Sequence, residues 1–159
     1  MRYEILSLPS YRAVGLKWEG TFSEIVPYLK NVIRQAEERA KELEDKLNPH
    51  VQLGLSYHVI ENGFVHYAVY EVNDQQEVPD GMVEIEVPQL TYVKTTHNKG
   101  EDIKRTYTDL HNWLLNSEYK AYREAGVEYF DKYMPIKHER YPLDRDPTDP
   151  HFDIYISRS

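Results

Sequence analysis

The stretch Gly126-Val127-Glu128-Tyr129-Phe130-Asp131-Lys132-Tyr133 holds the carboxylate with the most chemical promise in this chain. Glutamate is disfavoured in a β-strand, and Glu128 stands between Val127 and Tyr129, where apolar neighbours are expected. Two readings are open: a solvent-facing strand position, or a carboxylate lowered into an aromatic pocket as the counter-ion of a cationic ligand. Near the end of the chain Phe152, Ile154 and Ile156 alternate with Asp153, Tyr155 and Ser157. That alternation sets the Phe/Ile face in the core and Tyr155 on the opposite face, where it either lines a cleft or sits at the surface.

Other chemistries find no support. The sequence has no glycine-rich phosphate loop, no Gly-x-Ser-x-Gly elbow and no His-Glu-x-x-His motif. Its 7 histidines, at positions 50, 58, 66, 97, 111, 138 and 151, lack metal-ligand spacing. His58 and His66 can meet across a predicted hairpin, but no third ligand accompanies them, so neither a metal site nor a cofactor is expected. Zero cysteines remove disulfides, thiolate sites and thiol catalysis, and no nucleophile or triad is identifiable, so no catalytic residue is assigned.

Composition narrows the partner. Tyrosine is the outlier, with 14 residues against four Phe and two Trp. An apolar ring with a polar tip suits wet grooves and pockets, although many of these tyrosines read equally as ordinary strand residues. The net charge of −8, with no dense basic run, argues against direct binding to nucleic acid and favours cationic over anionic ligands. No stretch approaches the roughly 20 apolar residues of a membrane span, and the N-terminus lacks the pattern of a secretory signal, so a cytoplasmic location is expected.

The elements that must position these groups follow from periodicity. Apolar residues from Phe22 to Leu47 fall on one stripe and predict a long amphipathic helix, entered through a Thr21-Phe22-Ser23-Glu24 capping box and bent by Pro27 in its first turn. Ile103, Tyr107, Leu110 and Leu114 predict a second helix over about 101–115. Alternation predicts strands at 11–18, 51–59, 64–72, 82–87, 89–97, 127–133 and 151–157, with Glu61-Asn62-Gly63 as a hairpin turn. The strand at 64–72 is apolar on both faces, which requires a helix on one side and other cover on the second. The Pro- and Asp-rich stretch 134–150 reads as an exposed loop.

This order repeats. Strand, long helix and two strands are echoed by strand, shorter helix and two strands, which predicts one α+β domain over 1–159 built from two halves, about 1–80 and 81–159. The expected architecture is an antiparallel sheet with two helices on one side, pseudo-twofold symmetry, and a ligand cleft between the repeats.

Several segments, in order, resemble the GyrI-like (gyrase-inhibitor-like) effector-binding family. They are Tyr3-Glu4-Ile5-Leu6 through Tyr11-Arg12-Ala13-Val14-Gly15-Leu16, then Trp113-Leu114, Val127-Glu128-Tyr129-Phe130-Asp131 and Phe152-Asp153-Ile154-Tyr155-Ile156. The resemblance implies the two strand-helix-strand-strand repeats. It also implies a function, since some members sit behind the DNA-binding domains of multidrug-responsive regulators and bind lipophilic cations, while others stand alone. For Glu128 it implies the buried acidic residue of the pocket, and for Tyr155 and other aromatics the pocket walls. The family commonly places proline after its final Tyr-x motif, whereas this chain has Ser157.

The leading expectation is thus a stand-alone effector-binding protein, with Glu128 supplying negative charge and Trp18, Tyr67, Trp113 and Tyr155 supplying aromatic walls. One alternative is a hydrolase of reactive small molecules that uses the pocket glutamate as general acid or base, a role the resemblance also carries. Another is a protein-binding inhibitor module, after the family's namesake.

Overall fold

The computed structural model describes residues 2–159, the side chains of Val26 and Pro27 excepted, so the bend expected of Pro27 falls outside what is described. In chain order the elements are β1 (Glu4–Leu8), β2 (Tyr11–Thr21), α1 (Ile25–Arg39), β3 (Val51–Ile60), β4 (Gly63–Val72), β5 (Val83–Val87), β6 (Leu90–His97), α2 (Ile103–Leu115), β7 (Ile136–Pro142) and β8 (Phe152–Arg158). The strands form one eight-stranded sheet in the order β1-β6-β8-β7-β3-β4-β2-β5, and each pairing is antiparallel.

Register assigns the side chains to two faces, because partners across a ladder share a face and neighbours along a strand do not. On one face Gln52 donates to the Ile33 carbonyl of α1 at 3.2 Å. Its register partner is Tyr141, and on that same face Glu139 accepts from Tyr107 of α2 at 2.6 Å, so both helices cover one side of the sheet. Beneath α1 lie Val14, Tyr70 and Val72 with Leu43, and beneath α2 lie Val93, Ile154 and Ile156 with Leu110 and Leu114.

No helix covers the other face, yet it too is buried. Ala13 of β2 and Val87 of β5 share one apolar cluster with Leu53 and Leu55 of β3 and Tyr92 of β6. Strands so far apart in the sheet meet because the sheet curls into a half-barrel, and this closes the second side of β4.

Four expectations from sequence change. The long helix stops at Arg39, and a 3-10 turn over Ala40–Glu42 turns the chain so that Leu43 enters the core. Lys46 Nζ donates to the carbonyl of Ala40 at 2.6 Å, which also accepts from the Leu43 amide at 3.0 Å, and to that of Leu43 at 2.5 Å, which ties down this end of the turn. At the other end Phe22–Glu24 is also a 3-10 turn, held by the Glu24 carboxylate accepting from the Thr21 amide at 3.1 Å and the Thr21 hydroxyl at 2.9 Å. The strand expected at 127–133 is absent. Its place is taken by β7, inside the stretch expected to be an exposed loop, where Ile136–Pro142 lies at the centre of the sheet.

The β3–β4 hairpin turns at Asn62, which has φ 59°, and closes on Gly63. A Cβ on Gly63 would lie 2.0 Å from the Gly20 carbonyl oxygen of β2. Gly63→Ala is therefore expected to cost about 1–3 kcal/mol through overpacking, read as a lower urea midpoint. An unchanged midpoint would contradict the close approach of these strands.

Candidate functional site

One rung of side chains crosses the inner face of the sheet: Glu4, Lys94, Tyr155, His138, Leu55, Tyr67 and Lys17 are successive register partners. At one end of this face lies a cavity of about 510 Å³, within the usual range of small-molecule sites. β2 contributes Lys17 and Glu19 to its wall, β3 contributes Tyr57, Val59 and Ile60, and β4 contributes Val65 and Tyr67. Ile85 and Glu86 of β5, with Leu90 and Ile136, extend it. Tyr57 and Tyr67 meet edge to face, with ring centroids 5.9 Å apart.

The segment joining α2 to β7 completes the cavity with Tyr122, Glu124, Val127 and Tyr129. It is anchored at both ends. Tyr122 N–H donates to the Ser157 carbonyl at 3.3 Å and Ser159 N–H to the Lys120 carbonyl at 2.9 Å, on β8 and its end. Further along, Phe130 N–H donates to the His58 carbonyl at 2.8 Å and His58 N–H to the Pro135 carbonyl at 2.9 Å, on β3. Between the anchors the chain reverses through a turn in which Val127 N–H donates to the Glu124 carbonyl at 3.2 Å and Gly126 takes φ 80°, a conformation that favours glycine. Asp131 fastens the far side: its carboxylate accepts from the Met134 amide at 2.8 Å and the Tyr133 amide at 3.1 Å and lies 3.5 Å from Lys137.

Of the charged side chains at the cavity, Lys17 and Glu19 project from the inner face and Glu124 from the connector, two carboxylates against one ammonium, whereas Glu86, the register partner of Arg12, projects to the face opposite Ile85. Lys17 lies 3.9 Å from Glu19 and 5.9 Å from the Tyr67 ring centroid. Glu86 and Glu124 form no ion pair among the described residues.

The residues singled out from sequence are dispersed. Tyr67 lines the cavity. Tyr155 stands on the inner face, as its alternation requires, but is only 7% exposed, because the Arg140 guanidinium at 5.3 Å, the Lys94 ammonium at 5.7 Å and the edge of Tyr92 close over it. Glu128 is exposed on the α2–β7 connector and outside the cavity wall, since the turn at Gly126 replaces the strand that was to lower it inward. Trp18 shares its face with Val14 and Leu16, so it packs edge-on against Phe64 on the helix side. Trp113 belongs to α2 and stacks on Tyr3 at 4.6 Å. Neither tryptophan reaches the cavity.

The structure does hold a carboxylate among aromatics, but beneath α2. Glu139 accepts from the Tyr107 hydroxyl at 2.6 Å and the Tyr141 hydroxyl at 2.5 Å. Burial raises its pKa, outweighing the lowering by those two hydroxyls, Lys137 and His97. The inner face instead centres on His138, with Nδ1 3.1 Å from the Tyr92 hydroxyl and Nε2 3.0 Å from the Tyr57 hydroxyl. These three residues lie far apart in the chain, and only the strand register brings them together. His58 and His66, weighed above as metal ligands, are both held neutral by burial, with pKa values lowered to about 4. Among the described residues no group of three or more His, Asp or Glu converges as a metal site, and no helix is long and apolar enough to cross a membrane.

Comparison with known proteins adds to this geometry. A family model described as a GyrI-like small molecule binding domain matches residues 1–157. The chain is 28% identical over 161 residues to the transcriptional regulator BrlR of Pseudomonas aeruginosa. That alignment covers 98% of this chain and 55% of the regulator, so the chain spans about half the length of the curated relative it matches. Among solved structures it is similar to SAV2435 bound to tetraphenylphosphonium, with a TM-score of 0.70 at 12% identity over 100% of this chain and 94% of that one. It is also similar to EcmrR in a DNA complex, with a TM-score of 0.69 at 16% identity over 99% of this chain and 57% of that one. At these identities the structural likeness is one of fold.

Proposed function

The chain belongs to the GyrI-like family of small-molecule-binding domains, and from that premise we propose that it is an effector-binding protein for lipophilic organic cations. One observation carries the reading: the cavity combines four tyrosines, Tyr57, Tyr67, Tyr122 and Tyr129, with two carboxylates, Glu19 and Glu124, and a single lysine. A cation over an aromatic face gains about 0.5–2 kcal/mol per good contact, and carboxylates at the mouth draw cations inward. The counter-ion role first considered for Glu128 passes to Glu19 and Glu124, which stand at the cavity.

The architecture fits a duplicated unit, in which β1–β4 with α1 and β5–β8 with α2 are equivalent halves and the inner face is the cleft they share. The strand order supports this, because it reads the same from either edge when β1 is exchanged with β5, β2 with β6, β3 with β7 and β4 with β8. The small organic molecule is the direct partner. Any influence on DNA would run through a separate domain or protein, as the chain's charge of −8 suggests.

Tetraphenylphosphonium, the compound bound by SAV2435, is the first probe. It is expected to raise the melting temperature in a concentration-dependent way. Tyr67→Ala, which removes one ring from the wall, is expected to weaken binding about tenfold, in line with one cation–ring contact. Absence of any shift or calorimetric signal with the wild type at millimolar tetraphenylphosphonium would overturn the cation reading.

A further inference from the structure

We infer that Tyr57 presents a fixed hydrogen-bond donor to the cavity, and that the site therefore selects lipophilic molecules carrying a neutral carbonyl oxygen at the end seated against β3. The inference rests on the small-molecule reading above but not on the charge of the ligand.

His138 is 3% exposed, and burial, followed by the neighbouring Arg140, lowers its pKa to about 3. Its ring is thus neutral, with one nitrogen donating and the other accepting. Tyr92 and Tyr57 compete for the two positions, and burial decides between them. Tyr92 is 1% exposed, and its hydroxyl has no hydrogen-bond partner among the described residues except His138 Nδ1. If the imidazole donated to Tyr92, the Tyr92 proton would be buried with no acceptor, at the full desolvation cost of a hydroxyl. In the opposite arrangement Tyr92 donates to Nδ1 and Nε2–H donates to the Tyr57 oxygen, which satisfies both Tyr92 and His138.

The same arrangement leaves the Tyr57 O–H without an acceptor among the described residues, while its ring lines the cavity. The proton left over at the end of the Tyr92–His138–Tyr57 chain is therefore offered to whatever occupies the cavity. Burial, reinforced by the neighbouring tyrosines, raises the pKa of Tyr57, so the hydroxyl keeps this proton. The Tyr57 oxygen already accepts from His138, which disfavours ligand donors there. Carboxylates at the mouth disfavour anionic oxygens, and a neutral carbonyl meets both conditions.

Two isosteric probes test this, 2-acetylnaphthalene and 2-isopropylnaphthalene, together with the fluorophore 6-propionyl-2-(dimethylamino)naphthalene, whose emission moves to the red when its carbonyl accepts a hydrogen bond. The wild type is expected to bind the ketone about tenfold more tightly than the isopropyl analogue, and to red-shift the bound fluorophore relative to an aprotic solvent. Tyr57→Phe should bring the ratio near one by weakening the ketone alone. Tyr92→Phe should lower the ratio as well, about threefold or more, because it frees the imidazole to turn around and take the Tyr57 proton. A merely structural role for Tyr92 would weaken both probes alike. A wild-type ratio near one, an unshifted fluorophore, or a ratio that survives Tyr57→Phe overturns the inference. If tetraphenylphosphonium binds while the naphthalenes do not, the inference fails alone, and if none of the probes binds, the inference and the proposed function fail together.

Discussion

Replacing Glu19 and Glu124 together with glutamine is expected to weaken tetraphenylphosphonium binding about tenfold at low salt, with little change in the stability of the ligand-free protein. Both side chains are exposed at the cavity, Glu124 is unpaired among the described residues and Glu19 has only a loose 3.9 Å surface contact with Lys17, so the fold gains little from their charge. A unit charge about 5 Å from a cation contributes roughly 0.8 kcal/mol at the dielectric of water. Two such charges give about 1.6 kcal/mol, slightly more than a factor of ten. The difference should shrink at high ionic strength, since screening acts on exposed pairs. Glu128→Gln serves as the control, with a much smaller effect expected from an exposed residue outside the cavity wall. Calorimetric titrations at two salt concentrations measure all three proteins. Equal affinities for the wild type and the double variant would remove the rim carboxylates from the binding account.

The largest effect on stability is expected at Glu139. Glu139→Leu strands the hydroxyls of Tyr107 and Tyr141, which now donate at 2.6 and 2.5 Å. Hydrogen bonds to a charged group are worth about 1.5–3 kcal/mol each, so the loss should be roughly 3–5 kcal/mol. Glu139→Gln keeps an acceptor and should lose far less, but it removes a titration. The folded pKa of Glu139 is raised above the ordinary 4.5 by burial. Its protonated form is therefore favoured in the fold, and the stability this confers is fully present below the unfolded pKa. That stability disappears as the pH rises through the folded pKa. The stability of the wild type relative to Glu139→Gln should fall as the pH rises from the ordinary carboxylate range through the raised folded pKa, measured by denaturant melts across that rise. A difference that grows with pH would mean that the tyrosine hydroxyls, rather than burial, govern the carboxylate.

Glu139 also explains why the central strand was illegible in the sequence. Ile136-Lys137-His138-Glu139-Arg140-Tyr141 carries four polar or charged residues in succession between prolines, a pattern that reads as a loop. The segment is a strand because each polar group finds a partner from a distant element, Glu139 in Tyr107 and Tyr141, and His138 in Tyr57 and Tyr92. By contrast, Val127–Tyr133 alternates well enough but follows Gly126, whose positive φ makes it a turn residue. With a turn there in place of a strand, Glu128 stands exposed on the connector, outside the cavity wall.

Where local pattern and tertiary environment agreed, the reading held. The β3–β4 hairpin, its turn at Asn62-Gly63 and the two-faced burial of β4 were all visible in the alternation. The face of Trp18 was not, since alternation within β2 groups it with Val14 and Leu16 but only the strand register sets that face apart from Tyr67. The cavity was less legible, because the segment that completes it has no periodicity and is held by backbone hydrogen bonds to β3 and β8. No residue pattern announces such anchors.

The exchange of β1 and β5 between the two flanks of the sheet constrains how the chain acquires its shape. β1 pairs with β6, so Ile5 waits for Val93, and Leu8 waits for Leu90, before either has a ladder partner. β4 and β2 can assemble early as a hairpin-based unit, but β8 lies between β6 and β7 and is the last strand made. Pairings this distant in sequence are formed late and slowly, since loop closure must precede the contacts that reward it. A chain still emerging from the ribosome therefore has β1 unpaired until β6 is made, and the α2–β7 connector lacks its anchor on β8 until Ser157 to Ser159 emerge. During synthesis the domain is blind to a small molecule, which can stabilise the finished fold but has no completed cavity through which to guide the nascent one.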